Sequence, residues 1–110
     1  MSWDIVYTDG ARRDLRNIYE YIAYELLVPE TAAGQTQRIM KEIRALEEMP
    51  MRYRLYEGEP WHSEGLRFFS VDNYLVFYLP DETKKTVSIV RIMYGGRDIR
   101  RQLSETEMKY

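Results

Sequence analysis

Trp3, Ile5 and Tyr7 alternate with Asp4, Val6 and Thr8, a period of two that predicts a short opening strand. Thr8 or Asp9 then offers a side-chain oxygen to cap a helix. In that helix Ala11, Leu15, Ile18, Ile22 and Leu26 recur at spacings of 4, 3, 4 and 4, one apolar stripe. Arg12, Arg13, Arg16 and Glu20 fall on other faces. The helix is expected to end around Leu27, because Val28 precedes Pro29 and is pushed out of the α region. Pro29 suits the first position of a second helix. Ala32, Thr36, Ile39, Ile43 and Leu46 follow at spacings of 4, 3, 4 and 3, a second stripe that Pro50 closes. Two stripes with a short connection predict an antiparallel helical hairpin. Gly34 lowers helix propensity by roughly 1 kcal/mol, offset if it lets the two helices approach closely.

From Met51 the period changes. Residues 66–71, 74–79 and 86–93 are β-rich runs. Asp72-Asn73 joins the first two as a hairpin turn, since both residue types tolerate positive φ. Residues 80–85 form a longer polar loop, residues 51–56 are a candidate fourth strand, and residues 57–65 read as irregular. After Gly95-Gly96, residues 97–103 predict one or two closing helical turns. The fold class is α+β, in a single domain over residues 1–110. It has an N-terminal β-strand, an antiparallel helical hairpin on a three- to four-stranded, mainly antiparallel sheet, and a short C-terminal helix.

Composition fits one core, with 45% hydrophobic and 31% charged residues in 110. The absence of cysteine excludes a disulfide framework and a thiolate metal site. The start lacks the basic and apolar regions of a signal peptide, and no run is long enough to span a bilayer, so the expected address is the cytoplasm, away from membranes. A net charge of -2 argues against generic nucleic-acid binding. Charge is uneven, however. Residues 1–50 hold six basic and nine acidic groups, residues 51–110 ten and nine. Most of those ten are arginines, the side chain suited to a bidentate grip on phosphate or carboxylate.

No phosphate-cradling loop, nucleophile elbow or multi-histidine metal cluster is present, so no metal or cofactor is expected. Three local features remain. In Gly95-Gly96-Arg97-Asp98, directly after the last strand, Arg97 reads either as a grip on phosphate or a partner carboxylate, or, with Asp98, as a cap of the closing helix. Arg67 alternates onto one face with Phe69 and Val71, where it would stack a base, dock a protein or simply face solvent. His62, the lone histidine, is a candidate general acid or base, or a packing residue beside Trp61. Tyr74, Tyr78 and Tyr94 could offer phenolic hydroxyls, although among ten tyrosines most must pack.

The run from Ala11 to Ile22, Ile39 to Leu46 before Pro50, Gly65-Leu66-Arg67, Asn73 to Tyr78, and Ile89 to Asp98 together resemble the toxins of the RelE/ParE superfamily. In order and spacing these pieces cover nearly all of residues 3–103. The resemblance implies a small bacterial type II toxin, held inactive by a cognate antitoxin, in some cases within a higher-order toxin–antitoxin complex. It also implies a helical hairpin packed on a twisted antiparallel sheet.

Two targets follow from the resemblance. ParE-like members poison DNA gyrase, and the Gly-Leu-Arg and Gly-Gly-Arg-Asp segments look closer to that side. Tyr94 stands where those members usually carry histidine. RelE-like members cut mRNA on the ribosome without metal; on that reading Arg67, Arg97, Tyr94 and His62 are the catalytic candidates, and Arg52 and Arg54 stand roughly where such nucleases carry basic residues. On the gyrase reading Arg67, Arg97 and Asp98 are target-binding or structural. Stabilising a charged phosphorane calls for converging cations, and an RNA-rich surface favours a basic protein, so the net acidic charge leans toward gyrase. A homologue that retains only antitoxin binding is the third reading.

Overall fold

In the computed structural model the described residues are 2–96 and 98–106. The opening alternation forms strand β1 (Asp4–Tyr7). Thr8 is the cap of helix α1 (Asp9–Glu20), its Oγ1 accepting from the Ala11 amide at 3.1 Å. The same hydroxyl lies 2.9 Å from the Ile89 carbonyl oxygen, so the cap also ties the helix start to the last strand.

The first stripe continues past α1 as a π-helical turn, Tyr21–Glu25, where the Leu26 amide donates to the Tyr21 carbonyl. Leu27 then adopts a left-handed conformation (φ 59°), and Val28 donates to Ile22. Helix α2 (Pro29–Arg44) starts with proline in its first turn, and a 3-10 turn at Ala45–Glu47 extends it. Gly34 does not serve helix–helix approach: the only atom near its missing Cβ is Arg38 Nη1 at 3.5 Å.

The expected strand over 51–56 is reduced to one bridge, Leu55 opposite Arg67. Pro50–Arg52 form a 3-10 turn instead, entered through Met49 in a left-handed conformation. Within the stretch expected to be irregular sits a single helical turn, α3 (Trp61–Glu64). Gly65 ends it at φ 90°, a conformation that favours glycine.

Strands β2 (Arg67–Val71), β3 (Tyr74–Asp81) and β4 (Thr86–Tyr94) follow, and helix α4 (Ile99–Ser104) closes the chain. The sheet order is β1-β4-β3-β2, with β1 parallel to β4 and the other pairs antiparallel. Asp72 takes the positive φ (55°) expected of the first hairpin turn. β3 runs two residues further than expected, through Pro80. β2 begins opposite Tyr78, so at Pro80 the strand has a neighbour on one side only, where proline is tolerated.

A bulge in β4 resets the faces of the sheet. Phe77 pairs with Arg91 while Tyr78 pairs with Ile89, which leaves Val90 as the extra residue. Ile89 and Ile92, three apart, consequently face the same core, with Val87, Phe69, Val71, Val76 and Tyr78, under Ala11, Ile39, Ile43 and Leu46 of the hairpin. Val90 and Met93 join a second core with Leu66, Phe77, Trp61 and Leu103. The sheet is therefore covered on both faces, the second by α3 and α4. Trp61 Nε1 locks these two together by donating to the Leu103 carbonyl at 3.0 Å.

Candidate protein-docking site

Arg67 begins β2 on the hairpin side of the sheet. Its Nη1 donates to the carbonyls of Met51 and Tyr53, at 3.1 and 2.6 Å, so the guanidinium fastens the 3-10 turn and the segment after it to the sheet. Beside it Tyr78 is fully buried and donates to the Pro50 carbonyl at 2.6 Å. Burial pushes the Tyr78 phenol up to about 12, against which the nearby Arg67 charge acts only partly. Tyr78 is thus a locked donor rather than a proton carrier near neutrality.

The other candidates lie elsewhere. Tyr94 ends β4, half exposed, its ring edge-to-face on Tyr74 at 5.8 Å. Tyr74 pairs with Tyr94 and Tyr78 with Arg67, so four residues of β3, about 13 Å, separate the two positions. His62 sits in α3 on the opposite face, with Nδ1 2.8 Å from the Tyr56 carbonyl oxygen. That contact requires the proton on Nδ1 and leaves Nε2 as the acceptor of the neutral ring. Asp98 caps α4, accepting from the Arg101 amide at 3.2 Å. Arg97 lies outside the described residues. Arg52 and Arg54 lie over different rings, Tyr53 at 5.1 Å and Phe68 at 4.7 Å. Tyr53 packs with the hairpin-side core and Phe68 with the second core, so these two arginines serve opposite faces. Arg67, Tyr94 and His62 are not brought together into one constellation.

What the fold does assemble is a groove of about 1660 Å³ between α1, the π-helical turn, the end of β4 and α4. At its floor Arg91 forms a two-pronged pair with Asp14, Nε to Oδ2 at 2.7 Å and Nη2 to Oδ1 at 3.0 Å, both side chains largely buried. Arg91 Nη1 also reaches Thr106 Oγ1 at 3.0 Å. One arginine thereby joins the first helix, the last strand and the C-terminal segment. The sequence singled out neither Asp14 nor Arg91; the spacing of three between Ile89 and Ile92 was the signal that β4 is bulged there.

The upper wall of the groove is the hairpin tip. Tyr21, Tyr24, Leu26, Leu27 and Val28 are all exposed, Leu27 at 77% and Tyr24 at 65%. Exposed apolar side chains grouped in this way are characteristic of interaction sites. Its charges are acidic: residues 17–37 carry Glu20, Glu25 and Glu30 and no lysine or arginine. No helix among the described residues is long and apolar enough to cross a membrane. No group of three or more metal-ligating side chains is found among them either.

The model of the family described as the ParE toxin of type II toxin–antitoxin system, parDE, matches residues 5–99. No curated protein matches the sequence. Among solved structures, the chain is similar to the chromosomal ParDE toxin–antitoxin system from P. aeruginosa, with a TM-score of 0.69 and 22% identity over 84% of this chain and 96% of that one. The toxin–antitoxin complex RelBE2 from Mycobacterium tuberculosis gives a TM-score of 0.61 and 22% identity over 86% and 92% of the two chains. A free-state mutant of the E. coli toxin RelE gives 0.66 and 14% identity over 96% and 95%. At these identities the structural likeness is one of fold.

Proposed function

The chain belongs to the ParE toxin family of type II toxin–antitoxin systems, and on that premise we propose that it arrests bacterial growth by binding DNA gyrase in the cytoplasm and is neutralised by a cognate antitoxin. The observation that carries the gyrase reading is the placement of the arginines. Ribonuclease chemistry without a metal needs cations converging on one phosphate. Here Arg67 caps two carbonyls, Arg91 is held by Asp14, and Arg52 and Arg54 serve opposite faces of the sheet. The lining of the large groove carries the carboxylates of Asp9, Asp14, Glu20, Glu25 and Glu105 against two arginines, Arg13 and the Asp14-paired Arg91, beside neutral polar and apolar side chains, a balance that favours a protein partner over nucleic acid.

Two of the fold neighbours are themselves toxin–antitoxin systems, which supports the antitoxin partner. Purified chain added to gyrase and relaxed plasmid is expected to block supercoiling or to trap cleaved DNA. Unimpaired supercoiling at a large excess of the chain would remove this reading.

A second reading, ribosome-dependent cleavage of mRNA, draws on one observation. The exposed Arg54 guanidinium lies over Phe68 beside Tyr56, whose carbonyl holds His62, so a cation, aromatic rings and an imidazole share the second face. Cuts in mRNA that require the ribosome, and that disappear in Arg54→Ala and His62→Ala, would favour it.

A further inference from the structure

We infer that two copies of this chain pair antiparallel along the free edge of β1, about a two-fold axis at Val6, joining their four-stranded sheets into one continuous sheet. The contact is between toxins and does not depend on the target or on the antitoxin.

The register between β1 and β4 decides which groups are free. Asp4 donates to the Lys85 carbonyl at 3.0 Å and Thr8 to that of Ile89 at 3.1 Å. Residues that face a parallel neighbour alternate, so Asp4, Val6 and Thr8 are engaged with β4. The N–H and C=O groups of Ile5 and Tyr7 therefore point away from the sheet, and no backbone group among the described residues meets them. The side chains of these two residues pack on the hairpin-side core, whereas Val6 stands on the opposite face, 45% exposed.

The other sheet edges each have a guard. Residues 54–56 run along the start of β2, where Phe68 donates to the Arg54 carbonyl at 3.1 Å. Where β4 runs on past β1, Asp14 takes the Ile92 amide. β1 carries none of the lysine, proline or bulge that blunts an edge.

The spacing of the free groups selects a second copy and its register. With Val6 opposite Val6, Ile5 and Tyr7 of each chain exchange both bonds with Tyr7 and Ile5 of the other, so every free group finds a partner. A two-fold at Ile5 would set Tyr7 against Trp3, whose amide already donates to the Glu47 carbonyl at 2.9 Å. One at Tyr7 would set Ile5 against Asp9, inside α1. In the Val6 register the two exposed valines cover each other across the axis. Charge agrees with it. Asp4, in no ion pair among the described residues, comes opposite Thr8 of the second copy, at the positive end of that copy's α1. The two Asp4 residues are kept about 13 Å apart along the strands.

The chain has no cysteine, so an introduced thiol reports on one contact. Facing residues of a non-hydrogen-bonded pair have Cα atoms about 4.5 Å apart, a separation that a disulfide spans. In a glutathione redox buffer, full-length Val6→Cys is expected to form a covalent dimer at least about tenfold faster than Asp4→Cys, whose thiols lie beyond that reach. In sedimentation velocity the wild-type chain should show a reversible dimer that grows with concentration. Val6→Lys and Val6→Glu should each be monomeric, because like charges meet on the axis, and mixing the two should restore a dimer. Circular dichroism checks that each variant is folded. Val6→Cys that links no faster than Asp4→Cys, or Val6→Lys as dimeric as the wild type, would overturn the inference. So would a wild-type chain that stays monomeric at its highest soluble concentration, which would leave the edge to a strand from another protein.

Discussion

Asp14 holds the guanidinium of Arg91 with both carboxylate oxygens, and its Oδ2 also accepts the amide of Ile92 at 2.8 Å. The second bond explains why the carboxylate sits there. β1 ends opposite Ile89, so the next outward-facing amide of β4 has no strand beside it. A side chain from α1 takes the place of the missing strand, and the arginine next to that amide neutralises it.

Removing one partner leaves the other charged and largely buried, which is the costly case for an ion pair. Asp14→Ala is expected to lower unfolding stability by about 3 kcal/mol in urea titration. Asp14→Leu combined with Arg91→Met should be less destabilising than Asp14→Leu alone, because no unpaired charge remains. Strictly additive losses would mean that the pair is not coupled.

Tyr78 makes the alkaline limb of stability predictable. Its phenol lies at about 12 in the folded chain against 10.0 as the reference. Between those values the folded state keeps a proton that the unfolded state has released, so stability falls as pH rises. The contribution is complete below pH 10 and gone above pH 12, a loss on the order of 3 kcal/mol for the shift. Tyr7, also raised by burial, adds in the same direction. Tyr78→Phe should flatten this limb while costing about 1 kcal/mol at neutral pH for the lost bond to Pro50. Ultraviolet titration of the phenols, compared between the two proteins, checks both.

Asp72 tests the acid side. Hydrogen bonds from Arg38 and then Gln35, each 2.9 Å to Oδ2, hold its carboxyl below the ordinary 3.8. The stability it contributes is present above that value and is lost as pH falls through the lowered one. The side-chain carbon resonance of Asp72 should titrate below 3.8, and Arg38→Ala should move it upward. An unchanged midpoint in Arg38→Ala would show that the pair seen here is not populated in solution.

Leu27 combines a left-handed backbone with an exposed apolar side chain, at a position after a helix where glycine is the least strained choice. Leu27→Gly is therefore expected to stabilise the isolated chain by up to about 1 kcal/mol, while weakening any complex that buries the tip. Thermal unfolding with and without the partner reads both effects. Destabilisation of the free chain would mean that Leu27 packs internally.

The two helical stripes and the β runs were legible because each repeats at the period of its element, and Thr8, Pro29 and Asp72 mark starts and turns by local chemistry alone. α3 was not legible: a single turn offers no period, and Pro60 and Gly65 flank it like a loop. Nor could the sequence place residues 51–56, whose alternation is absorbed by the Pro50 turn and by Arg67 donating across to Met51 and Tyr53.

The site was harder still to read. Arg67 read equally as exposed or as a contact residue, and only the fold shows its guanidinium facing two carbonyls. Asp14 and Arg91 lie 77 residues apart, beyond any periodicity, and each looks like a solvent-facing charge. The absence of basic residues from 17–37 is a property of the sequence itself. That Tyr21, Tyr24 and Leu27 stand out of the core is not, because a helix stripe does not reveal where the body it packs on ends.

The most direct test of the account is controlled expression of the chain in a bacterium lacking the antitoxin, scored together for mRNA cleavage and for the DNA-damage response. Action on gyrase through protein binding predicts growth arrest with a damage response and intact mRNA. Ribosome-dependent cuts in mRNA without DNA damage would contradict it.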